Sequence, residues 1–94
     1  MPEPIQQARI VFHGEVHGVG FRYTTKTIAG RHPNITGTVR NMPDGTVELI
    51  AEGQQQDISD FVAEVKTTMQ SFISSSSESF SPSNRKFASF HIVL

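Results

Sequence analysis

Residues 8–32 read ARIVFHGEVHGVGFRYTTKTIAGRH, and the spacing of apolar residues changes character twice within them. Ala8, Ile10 and Phe12 alternate with Arg9, Val11 and His13, the two-residue period of a strand. Gly14–Gly20 follows, with three glycines in seven residues, and marks a loop of unusual backbone angles. From Phe21 the spacing becomes helical. Phe21, Thr25, Ile28, Ala29 and His32 fall on one face and predict a helix over 21–32. Pro33 ends it, because a proline disfavours helical backbone at the residue before it.

Working outward, Ile35–Met42 and Thr46–Glu52 read as two strands. Pro43-Asp44-Gly45 joins them with hairpin chemistry: proline presets φ and glycine takes a positive-φ position. Gly53–Gln56 breaks the pattern, Asp57 suits a helix N-cap, and Ile58, Phe61, Val62, Val65 and Met69 trace an amphipathic helix. Residues 71–83, SFISSSSESFSPS, hold eight serines. They predict a poor strand followed by a loop, or a mobile segment reaching to about 86, with a solvated connector the plainer expectation. Phe87, Phe90, Ile92 and Leu94 close the chain as a strand, and residues 1–7, with two prolines, form a loose start. The order β-α-β-β-α-(β)-β predicts an α+β ferredoxin-like sandwich, an antiparallel sheet with both helices on one face.

The 94 residues suit one domain with one modest core, so a ligand is expected in a surface cleft made by loops. Eight basic and nine acidic side chains give a net charge of −1, which argues against a nucleic-acid or membrane partner, since both favour a clustered basic face. The absence of cysteine excludes disulfides, thiolate catalysis and cysteine metal sites. No apolar stretch approaches the roughly 20 residues of a membrane span, and MPEPIQQARI lacks the character of a signal peptide. A soluble, cytoplasmic monomer is the expectation.

A glycine-rich turn between a strand and a helix aims backbone N–H groups into one concavity, and the positive end of the helix dipole adds to them. Glu15, Val16, His17, Gly18, Val19 and Gly20 can form such a nest for phosphate, or an ordinary tight turn. The Gly-Lys-Ser/Thr ending of a P-loop is missing. Arg22 falls in the first turn of the helix, where a cation opposes the dipole; a bound anion removes the conflict, and a guanidinium grips phosphate through two parallel N–H bonds. The plain alternative is a surface arginine paired with Glu15 or an acidic neighbour. Asn41 ends a strand just before the turn. It holds turn backbone or, if that strand ends beside the loop, orients a water toward phosphate.

The string Gly14-x-Val16-x-Gly18-Val19-Gly20-Phe21-Arg22 resembles the first signature of the acylphosphatase family. Thr36-Gly37-x-Val39-Arg40-Asn41-x-Pro43-Asp44-Gly45-x-Val47-Glu48 is similar to its second, and Phe87-x-x-Phe90-x-Ile92 fits its end. The resemblance implies a ferredoxin-like fold and hydrolysis of acyl phosphates to carboxylate and inorganic phosphate, without metal or cofactor. It implies that Arg22 and the loop amides of Glu15–Gly20 bind the phosphoryl group, and that Asn41 positions the attacking water. Inorganic phosphate is then product and inhibitor. A non-catalytic anion-binding module on the same fold is the alternative.

Three stretches depart from the family pattern: His17 stands where glutamine is frequent, His32-Pro33-Asn34-Ile35 replaces a shorter link, and serines replace a more apolar strand. His13, His17, His32 and His91 match no common metal-ligand spacing. Glu48 and Glu52 share a strand face and read as a solvated edge. Asp57, Asp60 and Glu64 read as helix cap and polar face.

Overall fold

Side chains of a strand point alternately to its two faces, so the apolar sets Ala8/Ile10/Phe12 and Val47/Leu49/Ala51 can share one core only if their strands pair in one register. The computed structural model, which describes residues 4–94, shows that pairing. The elements are β1 (Gln6–Gly14), α1 (Phe21–Ala29), β2 (Thr36–Asn41), β3 (Val47–Gly53), α2 (Gln55–Thr68), β4 (Ile73–Pro82) and β5 (Phe90–Val93). The strands form one sheet in the order β4-β1-β3-β2-β5.

Ala8 lies opposite Ala51, Ile10 opposite Leu49 and Phe12 opposite Val47. Val39 of β2 continues the Leu49 row, and Ile92 of β5 continues it again. This face is covered by Phe21, Thr25, Ile28 and Ala29 of α1 and by Ile58, Phe61, Val62 and Val65 of α2, giving one core. Phe61 lies under both His32 and Phe90, each with its ring centre 5.5 Å away.

The two helices on one face are as expected, and three of the four strand pairings are antiparallel. The fourth is not: β5 runs parallel to β2, so the sheet is mixed. The cause is the link after β4. It carries the chain from one edge of the sheet to the other at a single end, which makes β5 antiparallel to β4 and hence parallel to β2. Phe87 belongs to this link and Leu94 is fully exposed, so the last strand is shorter than its apolar spacing suggests.

Of the expectations for the serine-rich stretch, the strand is the one that forms, ten residues long, and the solvated connector does not. Almost none of it is buried, yet it pairs with β1 from Gln6–Pro82 to Gly14–Ile73. Its order comes from backbone hydrogen bonds to β1, which leave no hydrophobic pattern to read. Glu78 adds an ion pair with Lys66 of α2. Of the start expected to be loose, residues 1–3 lie outside the described residues, while Gln6 and Gln7 open β1 with partners on both sides. Helix α2 starts at Gln55, so Asp57 lies in its first turn and the N-cap is Gln54, which makes no side-chain capping bond.

Glu48 and Glu52 are not a solvated edge. Glu48, 7% exposed, takes hydrogen bonds from Arg9 (2.7 Å) and Arg40 (2.8 Å). Glu52 has no exposed surface and holds the β4–β5 link. It accepts from the Ser83 hydroxyl at 2.5 Å, the amides of Lys86 and Phe87 at 3.0 Å each, and the Gln7 amide group at 3.2 Å. Arg85, at φ 57°, donates to the Thr36 hydroxyl (2.7 Å) and the Asn34 carbonyl (3.1 Å) of the neighbouring strand entry. Burial alone would raise the pKa of Glu52, but the four donors outweigh it and hold the carboxyl below its ordinary value.

Two outcomes follow from this carboxylate. Glu52→Ala removes the acceptor shared by two part-buried backbone amides and two side chains, and lowers stability by about 2 kcal/mol, read by urea unfolding. Because the folded pKa is depressed, the stabilisation is complete above about 4.5 and is lost as pH falls through the lower folded value. Glu52→Gln therefore flattens the acid limb of a stability–pH curve, with Glu48 keeping part of the slope.

Candidate active site

β3 lies between β1 and β2 and runs antiparallel to both, so β1 and β2 end at the same edge of the sheet. The Gly14–Gly20 loop leaves from the first of these ends, and Asn41 stands on the second. The β4–β5 link crosses the opposite end.

Gly14 turns the chain out of the sheet. Its φ is 130°, the β1–β4 register shifts at His13/Gly14, and a Cβ there would meet the Phe72 carbonyl oxygen and the Ser74 amide nitrogen. Only glycine fits that contact. Val16, 1% exposed, plugs the loop into the core, whereas Glu15, His17, Gly18 and Gly20 face solvent. Gly20 is the N-cap of α1, in left-handed conformation at φ 75° and without a side chain to satisfy the helix start. Phe21 packs its ring on Phe12 at 5.1 Å and so fixes the first turn of α1 over the end of β1.

Among the described residues, the amides of Glu15–Gly20 donate to no backbone or side-chain acceptor, and the first bond at this helix end is Thr24 N–H to the Gly20 carbonyl, 2.9 Å. Unpaired N–H groups at a helix N-terminus are donors suited to an anion. Arg22, half-buried, stands in the first turn, which contains no acidic residue. Carboxylates take up Arg9, Arg31, Arg40 and Lys66, but among the described residues Arg22 is in no ion pair. The pairing with Glu15 does not form.

Asn41 is opposite Val47, which is opposite Phe12, so the three form one row across β2, β3 and β1 and share the helix-covered face. Two strand spacings put Asn41 about 10 Å from the end of β1. Its side chain makes no hydrogen bond among the described residues, so it is not engaged in holding the turn. Asp44 does that work, accepting from the Thr46 hydroxyl at 2.6 Å and the Thr46 amide at 3.1 Å. These two bonds, the hydroxyl's first, keep the Asp44 carboxyl below its ordinary pKa. The Thr46 carbonyl in turn accepts the Met42 amide at 2.8 Å.

Loop and hairpin touch. His17 Nε2 lies 2.8 Å from the same Thr46 carbonyl. Sequence gives no hint of this pair, since its members are 29 residues apart and Thr46 reads as a strand residue. The role of Glu64 was also hidden, as it joins α2 to the end of α1 through Arg31 and through His32 at 2.9 Å.

The Acylphosphatase family model matches residues 8–92. An acylphosphatase of Methanospirillum hungatei is 42% identical over 69 residues, covering 73% of this chain and 75% of that protein. One from Lactobacillus johnsonii is 37% identical over 82 residues, covering 85% and 89%. Among solved structures the chain is similar to the acylphosphatase from Bacillus subtilis, with TM-score 0.83, 34% identity, and coverage of 95% of this chain and 99% of that one. A family match over nearly the whole sequence, on a fold that brings both signatures to one end of the sheet, means that this chain belongs to the acylphosphatase family.

Proposed function

We propose that the chain hydrolyses acyl phosphates to a carboxylate and inorganic phosphate, with the phosphoryl group held by the amides of Glu15–Gly20 and by Arg22, and with Asn41 orienting the attacking water. Family membership supports the reaction. The observation that carries the site is the run of unpaired amides at the start of α1, pressed by His17 against the hairpin that begins at Asn41.

The chemistry asks little of the protein. As water oxygen bonds to phosphorus, the bond from phosphorus to the acyl oxygen breaks and its electron pair leaves on a carboxylate. The conjugate acid of that leaving group has a pKa of about 4, so it departs without a proton. The transition state is loose and needs little activation of the nucleophile. The water's proton passes to a non-bridging phosphate oxygen, and no side-chain base is required. What remains is positioning and stabilisation of charge on the equatorial oxygens, which amides and a guanidinium supply.

The acyl group projects toward solvent, which fits a chain with no room for a deep pocket. Among the described residues no helix is long and apolar enough to cross a membrane. A cytoplasmic monomer is the finer reading, supported by the cysteine-free composition and near-neutral charge.

The test is hydrolysis of benzoyl phosphate in the presence of chelator. Arg22→Ala and Asn41→Ala each lower kcat/KM by about 10²-fold or more while the circular dichroism stays that of the wild type. Arg22→Ala also weakens competitive inhibition by phosphate, whereas Asn41→Ala leaves it nearly unchanged. Phosphate binding without turnover by the wild type would instead identify an anion-binding module.

A further inference from the structure

We infer that His17 is a positioning residue: it ties the phosphate-holding loop to the hairpin and thereby sets where Asn41 stands relative to bound phosphate. This rests on the function proposed above. A carbonyl oxygen only accepts, so His17 Nε2 carries the proton in its 2.8 Å contact with the Thr46 carbonyl. That oxygen has two lone pairs, and the second takes the Met42 amide, also at 2.8 Å. Met42 directly follows Asn41. Thr46 itself is fixed from the other side by Asp44. A short series of hydrogen bonds therefore runs from the loop through Thr46 to the residue beside Asn41.

Among the described residues, no other side-chain hydrogen bond spans the loop and the hairpin. The loop needs one. Gly14, Gly18 and Gly20 all stand at positive φ, and glycine backbone restricts itself least. Val16 and Phe21 fix the loop to the core beneath it but not to the neighbouring strand end. A displacement of about 1 Å between water and phosphorus is enough to cost roughly 10²-fold in rate.

Nε2 is protonated both in the neutral tautomer that donates here and in the imidazolium, so the tie does not depend on the charge of the ring. The same proton bars Nε2 from acting as a base. What matters at this position is a donor at that reach, and glutamine, with its own Nε2–H, supplies one.

The experiment compares His17→Ala, His17→Phe, which keeps a ring but has no donor, and His17→Gln. Benzoyl phosphate kinetics, inhibition by inorganic phosphate, thermal unfolding and exchange of the Met42 amide are measured on each, with Arg22→Ala alongside. Alanine and phenylalanine lower kcat by roughly 10- to 100-fold, with KM and phosphate inhibition within about threefold of wild type. Exchange of the Met42 amide quickens in both, and the melting temperature stays within a few degrees. Glutamine restores kcat and slow exchange. Wild-type kcat in His17→Ala, or a glutamine variant as poor as alanine, overturns the tie while the function stands, provided Arg22→Ala is inactive. A wild type that hydrolyses nothing overturns both.

Discussion

The position of β3 between β1 and β2, antiparallel to each, is the constraint on which the working end of the molecule depends. It sends the ends of β1 and β2 to one edge of the sheet, and so places the glycine loop and Asn41 side by side although more than twenty residues separate them. The register is held by burial. Ala8, Ile10 and Phe12 meet Ala51, Leu49 and Val47 with no exposed surface, and a slip of one residue would turn the three of the slipped strand away from the helices. Asn41 rides on the same register, two strands from Phe12, on which Phe21 anchors the start of α1.

The two ends of the sheet use the same donor chemistry in opposite ways. At one end, backbone amides from the β4–β5 link converge on the Glu52 carboxylate, an anion that the chain carries itself. At the other, the amides of Glu15–Gly20 in the β1–α1 loop donate to no acceptor among the described residues. The first arrangement stabilises the fold; the second is the one we propose takes an anion from solution. The arginines divide likewise. Arg9 and Arg40 are bound to Glu48 on the face of the sheet away from the helices, so Arg40, next to Asn41 in sequence, is held by a carboxylate. Among the described residues Arg22 is in no ion pair, and we propose phosphate as its partner.

Much of this was legible because the relevant signals are local. The two-residue period of β1 and β3, the Pro-Asp-Gly turn and the helical spacing of Ile58, Phe61, Val62 and Val65 each sit within a few residues, and the structure follows them. What sequence concealed was of two kinds. Backbone-driven structure leaves no apolar trace, which is why the serine-rich β4 read as no more than a poor strand or a solvated connector; the direction of β5 is set by the end of the sheet at which the link crosses, which its apolar spacing does not record. Long-range polar pairing leaves no spacing, which is why Glu48 and Glu52 read as solvated and why His17 showed no partner. Asp57 misled for a third reason: good helix formers at Gln55 and Gln56 let α2 begin before the residue best suited to cap it.

A loop rich in glycine meets a conflict between two demands. Amides can converge on a small anion only where the backbone enters left-handed conformations, and the residues that enter them most readily are those that lose the most freedom when ordered. If that ordering waited for the substrate, binding would be weakened by its entropic cost. The structure meets the conflict by anchoring the loop at positions between and beside the glycines. Val16 is sunk into the core, Phe21 is stacked on Phe12, and His17 is bonded to the hairpin. The glycines supply the shape and their neighbours supply the rigidity, the two properties that the proposed anion site requires of this loop.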